Sequence, residues 1–352
     1  MKAHELVAGA KKNSLDLLRL VAATMVLYSH QFAMLGALDP SFFGWNTFGG
    51  AGVSIFFFLS GMLVWSSWDR DPDWRRFFHR RSLRIFPALW VAVALTVLLM
   101  GPLASTLPWQ QYFGSMETWR YFTTAAFINQ HNLPGVFTEN FYPRVVNGSL
   151  WTLPVEFLCY VSVAMVGRLR RAPKGVMIAV NLLIVVLLSS WGPLLTGARF
   201  SPHFEMIAVF WWGVLYGHFT QAPLRLTQDN KIALSLAGLA FLFFAFVGGR
   251  GFDRAAMLAC AACLVHVARR VSVGARLTDP VGDLSYGMYI FAFPVQQMVV
   301  YWGYEQNWSW GVHFGLSLLG TALLAYASWQ LVEKRALRYK PKTASPRKAP
   351  AA

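Results

Sequence analysis

A cation and an imidazole lie eleven residues apart, at Arg19 and His30, inside the first long apolar segment of the chain. At 3.6 residues per turn, this spacing places both side chains on one face of a helix, about 16 Å apart along its axis. Ionisable side chains within a membrane span usually face a cavity and mark a function. The pair therefore predicts a polar path along one helix, with His30 as a candidate general base. The alternatives are that Arg19 extends to the nearby lipid interface and that His30 is a packing histidine.

A second basic group lies in the segment FFHRRSLRIFPALW, where Arg81 and Arg84 are three residues apart. This spacing places them on one face of the predicted third helix, in its first turn. Guanidinium groups bind phosphate oxygens with two parallel hydrogen bonds, so the pair is a candidate site for a polyphosphate. The competing interpretation is a positively charged stop that contacts lipid headgroups on the cytoplasmic side.

The acidic residue expected to accompany these groups is Glu156, in the segment NGSLWTLPVEFLCY. It lies about two turns into the predicted fourth helix, at a depth similar to that of His30. A carboxylate that accepts the imidazole N–H would fix the tautomer of His30 and raise its basicity, which would make the histidine a base for a hydroxyl. The alternative is that Glu156 bonds to backbone groups beside Pro154 or pairs with another helix.

The composition of the chain indicates the environment in which these groups operate. Of 352 residues, 56% are hydrophobic and only 13% are charged, and the chain contains 15 Trp and 28 Phe. These proportions are typical of an integral membrane protein. The net charge of +15 is explained by membrane topology and by attraction to anionic lipid headgroups, so we expect membrane lipids as partners and no nucleic acid.

The fold predicted from apolar segments of about 20 residues is an all-α, polytopic membrane bundle of about ten helices. Three domains are predicted: a cytoplasmic segment 1–14, a transmembrane domain 15–333 and a basic, disordered tail 334–352. Most Lys and Arg residues fall in alternate connections, which places both termini in the cytoplasm. The predicted helices lie near 15–37, 51–68, 83–104, 149–167, 175–194, 203–220, 232–248, 254–269, 284–304 and 312–333.

The three cysteines lie in apolar segments and do not form a disulfide framework. Cys260, Cys263 and His266 have a spacing that imitates a metal motif, but no fourth ligand lies near them in an Ala-rich helix. Zinc sites need three or four ligands of this kind in a closed arrangement. We therefore predict packing at these positions, no bound metal and no permanently bound cofactor.

Four segments together resemble the acyltransferase-3 family of membrane O-acyltransferases. They are SLDLLRLVAATMVLYSH with the Arg and His at the family's spacing, GGAGVSIFFFLSGMLVW, RRSLRIFPALW and NGSLWTLPVEFLCY. The C-terminal segments LSYGMYIFAFPVQQ and LVEKR are also similar to family segments. One departure is Ala292, which stands where many relatives have a histidine.

The resemblance implies an enzyme that moves an acyl group, most often acetyl from acetyl-coenzyme A, to a hydroxyl. The acceptor would be a carbohydrate, a lipid-linked glycan or a natural product, and the protein would lie in the bacterial inner membrane. Arg19, Arg81 and Arg84 would hold the donor, while His30 and Glu156 would be catalytic. His30 would remove the hydroxyl proton or carry the acyl group itself. The alternative is a transporter or glycan-export component in which Arg19, His30 and Glu156 line an ion or substrate path.

Overall fold

The computed structural model describes residues 13–220, 251–303 and 306–341. Within these ranges, the side chains at 170, 171, 174, 189–201, 220 and 251 are not described. The predicted helix 232–248 lies outside the described residues, as do segment 1–12 and the last part of the tail.

The described part of the chain is mostly helical with almost no sheet, as predicted. A two-stranded antiparallel hairpin, β1 (Ser41–Phe42) and β2 (Asn46–Thr47), precedes the second helix. The helices are α1 (Leu15–Met34), α2 (Phe48–Arg70), α3 (Trp74–Leu95), α4 (Gly101–Ala104), α5 (Trp109–Gly114), α6 (Met116–Arg120), α7 (Thr152–Val166), α8 (Lys174–Thr220), α9 (Gly251–Arg270), α10 (Val273–Thr278), α11 (Ser285–Gly303), α12 (Trp310–Ser328) and α13 (Lys334–Ala336). Wider π-helical turns at Thr96–Met100 and Trp329–Glu333 extend α3 and α12.

Five helical segments in the described ranges are long and apolar enough to cross a membrane. An α-helix rises 1.5 Å per residue, so about 20 residues span a hydrocarbon core about 30 Å thick. The segments agree with the prediction of a helical membrane protein. They are Leu15–Met34, Phe48–Arg70, Trp74–Ala104, Thr152–Leu169 and Trp310–Tyr339.

The third helix begins earlier than the sequence suggested. Asp73 caps α3 by accepting a hydrogen bond from the backbone N–H of Arg76. Aspartate at this position stabilises the first turn because it satisfies a free N–H group, and arginine is a good helix former. The sequence predicted Arg81 and Arg84 in the first turn of this helix. They lie about two turns or more into it instead.

Two further predicted boundaries differ from the structure. The separate helices at 175–194 and 203–220 form the single helix α8, which continues through Pro193. The local preference of proline for a helix end is therefore overridden by the rest of the structure. At the C-terminus, α13 and the 3-10 helix Leu337–Tyr339 continue the helical path past residue 334, where the predicted disordered tail begins.

Close helix crossings surround α2. A side chain at Gly61 would overlap the backbone oxygen of Phe210 in α8, and one at Gly213 would overlap that of Phe58. Gly52 in turn leaves room for the backbone of Ala22 in α1. Small residues allow such backbone contacts between membrane helices. The second helix is therefore held between α1 and α8, and one of its faces borders the cavities described below.

Several contacts define one end of the bundle. The hydroxyl of Ser14 donates to the backbone oxygen of Val271 at 2.7 Å, the guanidinium of Arg84 bonds to Asp283, and the hydroxyl of Tyr286 donates to the backbone oxygen of Ile85. The beginnings of α1 and α11, the middle of α3 and the end of α9 therefore meet at this end, which we call the arginine end. The opposite end carries the β-hairpin and the beginnings of α2 and α7.

Candidate active site

Two cavities adjoin inside the bundle. The first, at the arginine end, has a volume of about 810 Å³ and contains three guanidinium groups, from Arg19, Arg81 and Arg84. We call it the arginine cavity. The second lies toward the opposite end, has a volume of about 860 Å³ and includes His30 in its lining. We call it the histidine cavity.

A single carboxylate pairs with two of the three arginines. Oδ2 of Asp283 lies 2.6 Å from Nη2 of Arg84 and 3.5 Å from Nη1 of Arg19. Its other oxygen accepts hydrogen bonds from the backbone N–H and the hydroxyl of Ser285 at the start of α11. Burial alone would raise the pKa of Asp283, but the two cations and the Ser285 bonds lower it to about 2. Asp283 thus links α1, α3 and α11 at the mouth of the cavity.

The remaining guanidinium, that of Arg81, forms no ion pair with any side chain in the described ranges. It lies over the rings of Phe77 and Tyr160, at 5.7 Å and 5.5 Å from their centroids. Its Nε is buried without a hydrogen-bond partner. Aromatic faces attract cations but leave the N–H groups of guanidinium unused. Arg81 is therefore the group in the arginine cavity with the most unused capacity for an anionic ligand.

Glu156 lies in the arginine cavity and bonds to neighbours other than His30. Its Oε1 accepts hydrogen bonds from the hydroxyls of Ser60, at 3.1 Å, and of Tyr160, one turn further along α7. No hydrogen bond joins Glu156 to His30, which lines the other cavity. The predicted carboxylate–imidazole pair is therefore wrong, because equal depth along two helices does not place side chains on facing sides.

His30 lies where α1 passes the β-hairpin and the start of α2. Its ring packs edge-on against Phe293 of α11, with centroids 5.3 Å apart, and its Nδ1 is buried without a hydrogen-bond partner. The cavity beside it is also lined by two carboxylates, Asp39 and Glu205, and by the ring of Trp151. An imidazole with an unused nitrogen beside a cavity is a suitable acceptor for a proton.

Val53 and Tyr289 line both cavities, and we call this pair of side chains the junction. The hydroxyl of Tyr289 lies 2.8 Å from Oγ1 of Thr152 and donates to the backbone oxygen of Ser149 at 3.1 Å. These bonds hold the tyrosine of α11 against the start of α7. The junction therefore lies where the arginine cavity and the histidine cavity adjoin.

The structure thus unites four of the five predicted site residues, Arg19, Arg81, Arg84 and Glu156, and places His30 beyond the junction. Sequence reasoning missed Asp283, because it lies in a short connection that carried no motif. It also missed the bond between Glu156 and Tyr160, although their spacing of four residues places both on one helix face. Ala292, where relatives have histidine, packs in an apolar cluster with Ala23 and Leu27.

A second aspartate at the arginine end also pairs with two arginines but lines neither cavity. Asp71, between α2 and α3, lies 2.6 Å from Nη2 of Arg76 and 2.7 Å from Nη1 of Arg80. The hydrogen bond from Arg76, together with Arg80, lowers the pKa of Asp71 to about 2. This cluster holds together the turn between α2 and α3. Like Asp283, Asp71 pairs with two arginines, but it lies outside both cavities.

Comparison with known proteins gives the class of this helical membrane bundle. The acyltransferase domain model of the acyltransferase-3 family matches residues 12–330, and the chain belongs to this family. The protein is therefore an acyltransferase. No solved structure matches the chain.

Three relatives extend over most of the chain. An O-acetyl transferase of Shigella phage Sf6 is 33% identical over 93% of this chain and 96% of its own length. Nodulation protein 10 of Rhizobium leguminosarum bv. viciae is 29% identical over 93% of this chain and 94% of its own. The exopolysaccharide production protein ExoZ of Rhizobium meliloti (strain 1021) is 26% identical over 83% and 90%.

Proposed function

We propose that this acyltransferase moves an acyl group, most often acetyl, from acyl-coenzyme A to a hydroxyl of a carbohydrate, a lipid-linked glycan or a natural product. The observation that carries the proposal is the pair of adjoining cavities, one with three arginines and one with a histidine, which share Val53 and Tyr289 in their linings. A phosphate-bearing donor fits the first and a hydroxyl acceptor fits the second. The names of the phage and rhizobial relatives support O-acetyl transfer and a polysaccharide-related acceptor.

The donor's phosphates would bind in the arginine cavity. Charge-assisted bonds from guanidinium to phosphate are stronger than those between neutral groups, and Arg81 has N–H groups free to form them. Arg84 and Arg19 are held together by Asp283 and add positive charge at the mouth. The pantetheine arm would then extend along α1 toward His30, about 16 Å from Arg19 along the helix. This length suits a flexible arm with a thioester at its end.

His30 would act where the thioester meets the acceptor. It takes the proton from the acceptor hydroxyl, the oxygen forms a bond to the thioester carbonyl carbon, and the carbon–sulfur bond breaks. The proton then goes from the imidazole to the departing thiolate, so that free coenzyme A and an ester are the products. In the alternative route, His30 first takes the acyl group with release of coenzyme A and then passes it to the hydroxyl.

Glu156 would contribute on the donor side. Its bond to Tyr160 fixes the ring on which the Arg81 guanidinium lies. Its negative charge also helps to keep Arg81 in the cavity when no donor is bound. This role replaces the orientation of His30 that the sequence suggested.

The arginine end would face the cytoplasm, where acyl-coenzyme A is made, and the histidine cavity would open toward the other side of the bacterial inner membrane. The distribution of Lys and Arg supports this orientation. Anionic lipid headgroups would surround the basic inner segments.

The proposal is tested with purified protein in lipid vesicles, acetyl-coenzyme A labelled on the acetyl group, and glycan extracts from bacterial envelopes as acceptors. We expect release of free thiol together with a base-labile labelled ester. His30→Ala should reduce the product by about 10²- to 10⁴-fold, the usual contribution of a general base, with donor binding retained. His79→Ala is the matched control, because His79 is exposed and lines neither cavity. Movement of a solute without thiol release would favour a transporter instead.

A further inference from the structure

The histidine cavity differs in charge from the arginine cavity. Its described lining contains the carboxylates of Asp39 and Glu205 and no Arg or Lys. Asp39 forms no ion pair with a described side chain, while Oε1 of Glu205 lies 3.7 Å from Nε of Arg254 at the cavity edge. One of the two negative charges is therefore uncompensated. A cavity of one sign concentrates ligands of opposite charge and repels those of like charge.

The same cavity contains two buried hydroxyl groups. Ser29 and Ser149 are buried, at 1% and 2% exposure. The hydroxyl of Ser29 lies beside the carboxylate of Asp39, and the Oγ of Ser149 has no hydrogen-bond partner. A buried polar group left unpaired is costly, so a bound molecule that supplies donors and acceptors would be stabilised there. Hydroxyl groups supply both, and rotation about one side-chain bond directs each serine toward them. The ring of Trp151 adds an apolar face of the kind that covers the C–H side of a sugar.

A smaller pocket adjoins this cavity. Asn46 and Glu205 line both, and Trp45, Asp253 and Arg254 line the smaller pocket. Arg254 is the one cation in its described lining and lies there with the carboxylates of Glu205 and Asp253. The smaller pocket therefore does not reverse the negative sign of the histidine cavity.

We infer that the histidine cavity is a binding site for an uncharged, hydroxyl-rich sugar and excludes acidic ones. The identity of the occupant as the acceptor rests on the proposed function. The negative sign of the cavity does not, so the two are tested separately. Asp39 and Glu205 are the specificity-determining residues: they accept hydrogen bonds from sugar hydroxyls and repel a uronate or phosphate at the same position.

The sign of the cavity is measured with charged thiol reagents and needs no knowledge of the acceptor. Ser29→Cys is introduced into detergent-solubilised protein in which Cys260 and Cys263 are replaced by Ala, while the fully buried Cys159 remains. The rates of modification by trimethylammonioethyl and sulfonatoethyl methanethiosulfonate are compared, each divided by its rate with free mercaptoethanol. We expect the cationic reagent to react about ten times faster, since one net charge within a few ångströms has this effect in a partly wet site.

Two controls make the result specific. Leu63→Cys reports on the arginine cavity and should favour the anionic reagent. Adding Asp39→Asn and Glu205→Gln to the Ser29→Cys protein should remove most of the cationic preference. Equal rates for the two reagents at Ser29→Cys, a faster anionic reagent, or no reaction with either would overturn the assignment of a negative, accessible cavity.

The occupant is tested by protection of the Ser29→Cys thiol. The uncharged reagent methyl methanethiosulfonate is applied with a panel of neutral oligosaccharides and their uronate-containing analogues. Slower modification with at least one neutral glycan and with no acidic analogue supports the inference. Equal protection by acidic analogues, or protection by none of the panel, contradicts it. Neither result depends on catalysis, so a failure here is distinct from a failure of acyl transfer in the vesicle assay.

Discussion

The arginine cavity and the histidine cavity are neighbours of opposite electrostatic character. The first has three guanidinium groups partly balanced by Asp283 and Glu156, and the second has two carboxylates and no cation in its described lining. The helix α1 contributes Arg19 to one and His30 to the other. One helix thus borders two cavities of different charge. Under the proposed function, this difference would direct an anionic donor to one cavity and a neutral acceptor to the other.

The largest expected effect concerns the junction between the two cavities. Val53→Trp should fill the space between the cavities and keep the thioester from His30. Displacement of reacting groups by about 1 Å can lower a rate by about 10²-fold, so we expect at least this loss in kcat with donor binding nearly unchanged. Val21→Trp is the control, because Val21 lies on α1 with 46% of its surface exposed. Normal turnover in the Val53 variant would show that the acyl group does not pass here.

The next largest effect concerns the cationic side. Arg81→Lys and Arg84→Lys keep every positive charge, so membrane insertion should be normal. Lysine presents a point charge in place of a planar fork, and each charged hydrogen bond lost is worth about 1.5–3 kcal/mol. The apparent KM for acetyl-coenzyme A should therefore rise roughly ten- to a hundred-fold, with the acceptor KM unchanged. If both variants bind the donor as tightly as the wild type, Arg81 and Arg84 serve only as a signal for membrane topology.

Glu156→Gln distinguishes a donor-side role from the orientation of His30. The amide still accepts the bonds from Ser60 and Tyr160 but without charge, which weakens them by about 1 kcal/mol. We expect the donor KM to rise roughly five-fold and the pH profile of kcat to keep its shape, because His30 has no bond to this group. A shifted pH profile would instead link Glu156 to the base.

The smallest expected effects concern Asp283 and Asp71, whose replacement should change the donor KM differently. Asp283→Asn removes a negative charge that competes with the donor's phosphates, so the donor KM should fall about two- to ten-fold. Asp71→Asn should leave this KM unchanged, because Asp71 lines neither cavity. Equal KM values in the two variants would remove Asp283 from the donor site.

The Asp283→Asn and Asp71→Asn variants should both differ from the wild type in acid stability. The pKa of each aspartate is lowered to about 2 from its ordinary value of 3.8. A lowered pKa in the folded state stabilises the protein above the ordinary value, and this contribution disappears as the pH falls from about 4 to about 2. Each asparagine variant should lack that part of the acid transition, measured by helix content in detergent against pH.

The sequence predicted the helices better than it predicted the partners. Long apolar segments such as α2 and α12 must be helices in lipid, since every backbone group needs a bond within its own segment. The spacing of Arg81 and Arg84 also correctly placed both at one surface. Partners across helices depend on rotation about each axis, which spacing along one helix does not determine. For this reason the sequence left open that Glu156 pairs with another helix but did not identify Ser60 as the partner.

The junction also bears on the permeability of the membrane. Two wet cavities that approach each other from opposite ends of a bundle have the outline of a channel closed at one point. In a membrane that stores energy as a proton gradient, a continuous chain of water between them would dissipate that energy. Val53 supplies an apolar surface at this point, and Tyr289 has its hydroxyl engaged by Thr152 and Ser149. If the thioester passes the junction as proposed, the same two side chains would also keep protons from leaking across the bilayer.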